Sequence, residues 1–309
     1  MKCRMDRRSF LKTAGAVGAG IGLAGPGGPR LLAAEPANGA PNAEKLGWRL
    51  ACGTWTIRRF PPLYEAIDKI VSFLGLHYIE SGMALRLGKD QPNLMLSEDS
   101  PADVRLAVKK KLADSGLRIV THYSRYPLTR DIAKSRKPFE FAKDMGIETL
   151  IAEPAEDAFD TIEKLCEEYG VNVAVHDHAK PSHYWNPDTV LKVCQGRSKR
   201  IGACADTGHW MRSGLNPTEC VRKLEGRIIS FHVKDMNEAT LKADEVPWGT
   251  GVCDIKGILT EAYRQRLNAV FTIEYEHVWE QSLPDIARCV KFFDKVAAEL
   301  AAQRSIGSR

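Results

Sequence analysis

Four apolar runs in the second half of the chain each end in side chains that can hold a metal ion or carry a proton. They are Val171–His178 (VNVAVHDH), Ile201–His209 (IGACADTGH), Ile228–Asp235 (IISFHVKD) and Ala269–Glu276 (AVFTIEYE). A strand buried on both faces reads as a near-continuous apolar run, and in a parallel barrel the functional residues sit at its carboxyl end. Four such ends in series imply one shared site. His176, Asp206, His232 and Glu274 are therefore expected to converge on one divalent cation. Mixed imidazole and carboxylate ligation suits Mn or Zn, with Mg or Co as further options, better than Ca.

Period-two alternation extends each cluster by one residue. His178 shares a face with His176, Lys234 with His232, and Glu276 with Glu274. Lys and His turned into a barrel without a partner would be costly to bury, so these positions are expected to be paired or liganded. In Asp206-Thr207-Gly208-His209 the glycine permits a tight turn, and His209 follows the carboxylate closely. An Asp here could also simply cap the next helix. Trp55, Trp185, Trp210 and Trp248 fall in expected strand-end loops, where stacking on a ligand and core packing are equal readings. Trp248, in Pro247-Trp248-Gly249, is the preferred stacking residue because its setting is a turn.

The elements that would position these groups alternate along the chain. Strand-like runs also occur at 49–55, 77–82, 118–124 and 149–154. Helical patterns lie at 63–74, 102–115, 132–145, 158–169, 187–194, 217–224, 255–266 and 283–303, several ending in a glycine suited to a C-cap. Eight strands alternating with eight helices predict a single (β/α)8 TIM barrel with parallel strands over residues 47–309. No glycine-rich phosphate loop follows the first strand, which argues against an open doubly wound sheet.

The motifs Asp206-Thr207-Gly208-His209, Phe231-His232-Val233-Lys234-Asp235, Val246-Pro247-Trp248-Gly249-Thr250-Gly251 with Asp254 and Ile255, and Ile273-Glu274-Tyr275-Glu276 resemble the xylose-isomerase-like barrel superfamily. Sugar phosphate isomerases/epimerases and endonuclease IV belong to it. The resemblance spans about residues 47–300. It implies one divalent metal held by Glu, Asp, His and Glu from strands five to eight, of which the last three match Asp206, His232 and Glu274. The first falls on His176, a departure that removes one of the paired acid/base glutamates of the ketose epimerases. His178, or Glu153 at the end of strand four, is expected to replace it as proton carrier, with Glu274 and Lys234 as further catalytic groups. His209, Trp248, Glu276 and Glu80 are the expected substrate contacts. The implied chemistry is proton abstraction next to a carbonyl through an enediolate, on a sugar or keto-sugar. A keto-glycoside lyase or hydrolase and a non-catalytic sugar-binding barrel are the alternatives.

The amino end has a different purpose. Arg7 and Arg8 precede a short apolar stretch, Thr13–Leu23, and small residues at Ala33 and Ala34. This is the layout of a twin-arginine export signal over residues 1–34, which predicts use of the twin-arginine machinery and a periplasmic location. The apolar stretch is too short and glycine-rich for a stable membrane span. Residues 35–46 are expected to be a flexible linker. The whole chain holds 44 Lys+Arg against 39 Asp+Glu. Setting aside Lys2, Arg4, Arg7, Arg8, Lys12 and Arg30 against Asp6 leaves the remainder neutral. A neutral domain lacks the basic footprint of a nucleic-acid binder, which opposes an endonuclease IV activity. Of the eight cysteines only Cys3 lies in the leader, and the other seven are read as buried free thiols. Association of the chain into an oligomer is left open.

Overall fold

The computed structural model describes residues 35–58, 63–82, 96–277 and 282–307. The leader expected over residues 1–34 lies outside the described residues. Apolar runs rich in Val, Ile and Ala form eight parallel strands. These are β1 (Arg49–Gly53), β2 (Tyr78–Ser81), β3 (Arg118–Tyr123), β4 (Thr149–Ala152), β5 (Asn172–His176), β6 (Ile201–Asp206), β7 (Ile228–Val233) and β8 (Val270–Ile273). Each pairs with its neighbours in sequence, and β8 closes on β1 with Arg49 opposite Val270, giving the closed TIM barrel expected.

Helices between the strands start where the sequence supplies a cap. Asp131 opens α4 (Ile132–Met145) by accepting from the Ala133 and Lys134 amides, and Asn186 opens α6 (Pro187–Cys194) with a proline at the first helical position. Both helices cover the expected ranges. The others in order are α1 (Pro41–Lys45), α2 (Leu63–Lys69), α3 (Ala102–Asp114), α5 (Phe159–Tyr169), α7 (Thr207–Arg212), α8 (Pro217–Lys223), α9 (Ile255–Arg264) and α10 (Leu283–Gly307). The stretch 70–74 continues α2 as a π-helical turn, Ile70–Leu74. Between barrel and helices Trp48 packs against Phe271 and Phe293, with ring centroids 5.0 and 5.7 Å apart.

Residues 35–46 are not a free linker. Pro41–Lys45 is helical, Ala37, Ala40 and Ala43 are buried, and Asn42 donates its side-chain amide to Asp294 Oδ2 at 2.8 Å and its backbone N–H to Asp294 Oδ1 at 2.6 Å. The small residues that suggest flexibility instead allow contact. A Cβ on Gly39 would lie 2.5 Å from the Gly75 carbonyl oxygen, so the segment crosses the helical turn at backbone distance.

Two short elements have no counterpart in the sequence reading. α7 begins at the very end of β6, and a two-stranded antiparallel ribbon pairs Asp235–Met236 with Glu245–Val246. Among the described residues no helix is long and apolar enough to cross a membrane.

Candidate active site

The motif Asp206-Thr207-Gly208-His209 locks two strand ends together. Asp206 is the last residue of β6 and the N-cap of α7, where its Oδ1 accepts from the His209 amide at 2.8 Å. Thr207 Oγ1 accepts from the Lys234 amide and donates to the Lys234 carbonyl, both at 2.8 Å. A Cβ on Gly208 would lie 2.7 Å from the Lys234 Cβ, so only glycine lets β7 pass this close. The helix-cap role is met by Oδ1, which leaves the other oxygen, Oδ2, to face the cluster of histidines.

Around that oxygen His176, His209 and His232 gather, while Glu274 groups instead with Glu80 and His232. His176 Nε2 lies 3.5 Å from Asp206 Oδ2, His209 Nε2 lies 3.7 Å away, and His232 Nδ1 lies 3.9 Å away. The Lys234 ammonium is closest, 2.9 Å from Asp206 Oδ2, 2.8 Å from Glu274 Oε2 and 3.1 Å from Glu276 Oε1. His232 Nδ1 is 3.3 Å from Glu274 Oε2. Beneath it Glu80 Oε1 is 2.7 Å from His232 Nε2, while Glu80 Oε2 accepts from Thr121 and Thr272 hydroxyls at 2.8 and 3.0 Å. Glu80 is thus buried under the imidazole.

A second cluster forms the edge of the site. Glu153 Oε1 accepts from Tyr123 Oη at 2.9 Å and lies 2.5 Å from His178 Nδ1 and 3.6 Å from His176 Nδ1. Ser182 donates to Glu153 Oε2 at 3.2 Å. His176 therefore stands between the two clusters, buried, while His178 is half exposed at the mouth.

Burial disfavours every charge here, and the neighbours decide which survive. It opposes the Asp206 and Glu274 carboxylates. His209, Lys234 and His176 nonetheless hold Asp206 well below the usual carboxylate range, and His232 and Lys234 do the same for Glu274. The Lys234 ammonium is held well above its usual value by Asp206, Glu274 and Glu276 against the same burial. Burial pushes the His209 imidazole down to about 2, against the pull of the Asp206 carboxylate. The hydrogen bond to Glu153 raises His178 instead.

The chemistry of the donor set fits a divalent cation. Both ring nitrogens of His176 and of His232 are buried without a hydrogen bond, although Glu80 Oε1 lies 2.7 Å from His232 Nε2. Buried imidazole nitrogens beside carboxylates make these residues possible ligands for a divalent cation. Three overlapping groups each bring ligand atoms within 4.8 Å of one another: His176–Asp206–His232, Glu80–His232–Glu274 and Glu153–His176–His178.

These side chains line a cavity of about 450 Å³ at the carboxyl end of the barrel. Of the expected substrate contacts, Glu80, His209 and Glu276 line it. Trp248 does not. Asp235 accepts from the amides of Gly249, Gly251 and Cys253, which folds that loop inward, and Trp248 ends buried against Phe293 with ring centroids 6.0 Å apart. The tryptophan at the cavity is Trp55, whose Nε1 donates to Glu276 Oε2 at 2.8 Å. Tyr123, Arg212 and Glu245 also line the cavity and had no assigned role. Tyr123 could have been found from the period of β3, whereas Arg212 and Glu245 lie on elements without a readable period.

A barrel with this constellation at its mouth defines a class, and the sequence comparison agrees. Residues 70–296 match the xylose isomerase-like TIM barrel family, to which the chain belongs. Residues 4–24 match the twin-arginine translocation pathway signal sequence, which marks the chain for export by that pathway. None of the curated proteins matches the sequence. Among solved structures, an uncharacterised protein from Parabacteroides distasonis is 29% identical over 81% of this chain and 99% of its own, with a TM-score of 0.64. A xylose isomerase-like barrel protein from Mycobacterium smegmatis, in complex with magnesium, is 14% identical over 82% of this chain and 97% of its own, with a TM-score of 0.64. An L-ribulose 3-epimerase is 15% identical over 83% of this chain and 96% of its own, with a TM-score of 0.61.

Proposed function

We propose that the protein is an exported, metal-dependent isomerase or epimerase that moves a proton next to the carbonyl of a sugar or keto-sugar. What carries the reading is the pairing of two clusters across His176. Unpartnered imidazoles and the Asp206 carboxylate lie on one side, and the hydrogen-bonded Glu153–His178 pair lies on the other. His176, Asp206, His232 and Glu274 would hold the divalent ion. When bound, such an ion acts as a Lewis acid on the carbonyl and its adjacent hydroxyl.

The remaining steps belong to the chain itself. The Glu153–His178 pair at the cavity edge takes the proton from the carbon beside the carbonyl, with the C–H electrons passing into an enediolate. His209 and Glu276 would bind sugar hydroxyls and Trp55 would offer an aromatic face, whereas Glu80, with both oxygens engaged beneath His232, would act on the substrate only through that imidazole. The export signal supports the periplasm as the working compartment and a free sugar, keto-sugar or glycoside as the substrate. The magnesium complex and the epimerase among the structural relatives support this choice.

Two measurements test it together. Elemental analysis of the folded protein is expected to find one divalent ion per chain. Incubation with ketohexoses in D₂O is expected to place deuterium on the carbon beside the carbonyl. A metal-free protein that exchanges no hydrogen with any ketohexose would overturn the proposal.

A further inference from the structure

The Glu153–His178 pair follows β4 and β5, and a single carrier there can reach only one face of a planar enediolate. Inversion at carbon requires a second proton carrier on the other face. In the closed strand order β8 lies across the barrel from β4, so the second carrier should come from the β7–β8 side. The β7 end offers Lys234 and the β8 end offers Glu274 and Glu276, but both glutamates are engaged with Lys234, which also pairs with Asp206.

One carboxyl on that side is differently placed. Glu245 lies on the short ribbon after β7, is 2% exposed, and lines the cavity. Its Oε2 accepts from the Glu276 amide at 2.5 Å, which fixes the group to the end of β8. Its Oε1 is buried with no hydrogen-bond partner and lies 3.7 Å from Arg212 Nη2. We propose that Glu245 is the second proton carrier of this site, delivering a proton to the enediolate face opposite Glu153 and His178. This rests on the sugar isomerase/epimerase reading above and adds to it a residue outside the strand-end motifs.

The surroundings favour a proton on Glu245 between turnovers. Burial pushes its carboxyl up to about 8; Lys234 and Arg212 oppose this, while the Glu276 carboxylate adds to it. A carboxylic acid kept neutral near pH 7 can act as donor. In the forward step the Glu153–His178 pair takes the C–H proton and the electron pair enters the enediolate. Glu245 then gives its proton to the opposite face, the carbonyl reforms, and Glu245 is left as carboxylate. Exchange with water returns both carriers to their starting states.

Glu245→Gln tests this, because it keeps the shape and the acceptor for the Glu276 amide but cannot cycle a proton. Infrared spectroscopy of the full metal-loaded enzyme at pH 7 should show a protonated-carboxyl stretch that Glu245→Gln lacks. With D-fructose, D-psicose, D-tagatose and D-sorbose in D₂O, the variant should still wash deuterium into the substrate within about threefold of the unmutated rate. Its rate of inversion should fall roughly 10²-fold or more, the scale of one lost acid/base group. Calorimetry of the variant verifies that it is folded. The proposal is overturned if the infrared band is absent, if inversion persists at full rate, or if exchange and inversion fall together. No exchange by the unmutated protein with any of the four sugars sinks the underlying sugar reading instead, and is recognisable because no substitution is involved.

Discussion

Lys234 Nζ lies 2.9 Å from Asp206 Oδ2, the same carboxylate oxygen that faces His176 at 3.5 Å. The ammonium also touches Glu274 Oε2 at 2.8 Å. Two of the four expected metal ligands thus share their inward oxygens with a buried lysine. The lysine neutralises carboxylates that would otherwise repel one another in a buried site, and a divalent ion would compete with it for the same atoms.

Lys234→Met should reveal that competition. Removing one partner of a buried ion pair costs about 3–5 kcal/mol because the other charges are left uncompensated. The variant in EDTA is expected to melt well below the unmutated protein in EDTA. Added Mn²⁺ should raise its Tm by more than it raises that of the unmutated protein, since the ion replaces the missing positive charge. Equal Tm values for the two proteins in EDTA, read by calorimetry, would contradict a charge-balancing lysine.

Acid stability should depend on a carboxylate outside the cavity wall. Glu98 Oε1 lies 3.2 Å from His122 Nε2 and accepts from the Arg125 amide at 2.9 Å and from Ser124 Oγ at 3.1 Å. Burial opposes its charge, but the His122 hydrogen bond and charge and the Arg125 amide hold it down at about 2, from an ordinary 4.5. A carboxyl depressed in the folded state contributes stability that is complete above its unfolded value and is lost as pH falls toward the folded one. At about 1.4 kcal/mol per unit, the loss between pH 5 and 2 is on the order of 3 kcal/mol. Urea melts across that range should show Glu98→Gln with a correspondingly flatter acid limb, and a limb of unchanged slope would rule the contribution out.

The barrel was readable because its strands are buried on both faces. A run such as Ile201–Asp206 stays apolar until the residue that meets the cavity, so the pattern marks both the strand and where its chemistry begins. Period two pairs Lys234 with His232, and Glu276 with Glu274, and all four line the cavity. Loops carry no such period. Pro-Trp-Gly at 247–249 reads as an exposed turn, yet three amides bound to Asp235 pull it inward and bury Trp248. Nor does composition distinguish a linker from a strap. The alanines and Gly39 of residues 35–46 are small because they cross other backbone closely. Glu245 was invisible for the same reason, since its burial depends on a two-residue ribbon.

Export can be tested without knowing the substrate. Residues 4–24 match the twin-arginine signal, with Arg7 and Arg8 as its pair. Arg7→Lys with Arg8→Lys keeps the charge but removes the guanidinium forks by which a paired-arginine motif differs from a merely basic one. The double variant is expected to remain in the cytoplasm as full-length, folded precursor, checked by fractionation and blotting. Processed protein outside the inner membrane would mean that the pair is not read.

The two histidines of β5 should separate on substitution. His176 is buried, with both ring nitrogens unpartnered and facing Glu153 on one side and Asp206 on the other. His178 is half exposed, and its Nδ1 lies 2.5 Å from Glu153. A buried imidazole among carboxylates suits metal ligation, and a half-exposed one beside a carboxylate suits proton transfer at the mouth. His178→Ala is therefore expected to keep its metal and lose roughly 10²-fold or more in turnover, the usual scale for one acid/base group. His176→Ala should lose metal as well as turnover. The hydrogen bond to Glu153 raises the His178 imidazole above its ordinary value, so its loss should also remove from the pH dependence of kcat a titration that lies above the ordinary imidazole range. Elemental analysis beside kcat for each variant decides the assignment. If His178→Ala is the variant that loses metal while His176→Ala retains it, the two roles are reversed.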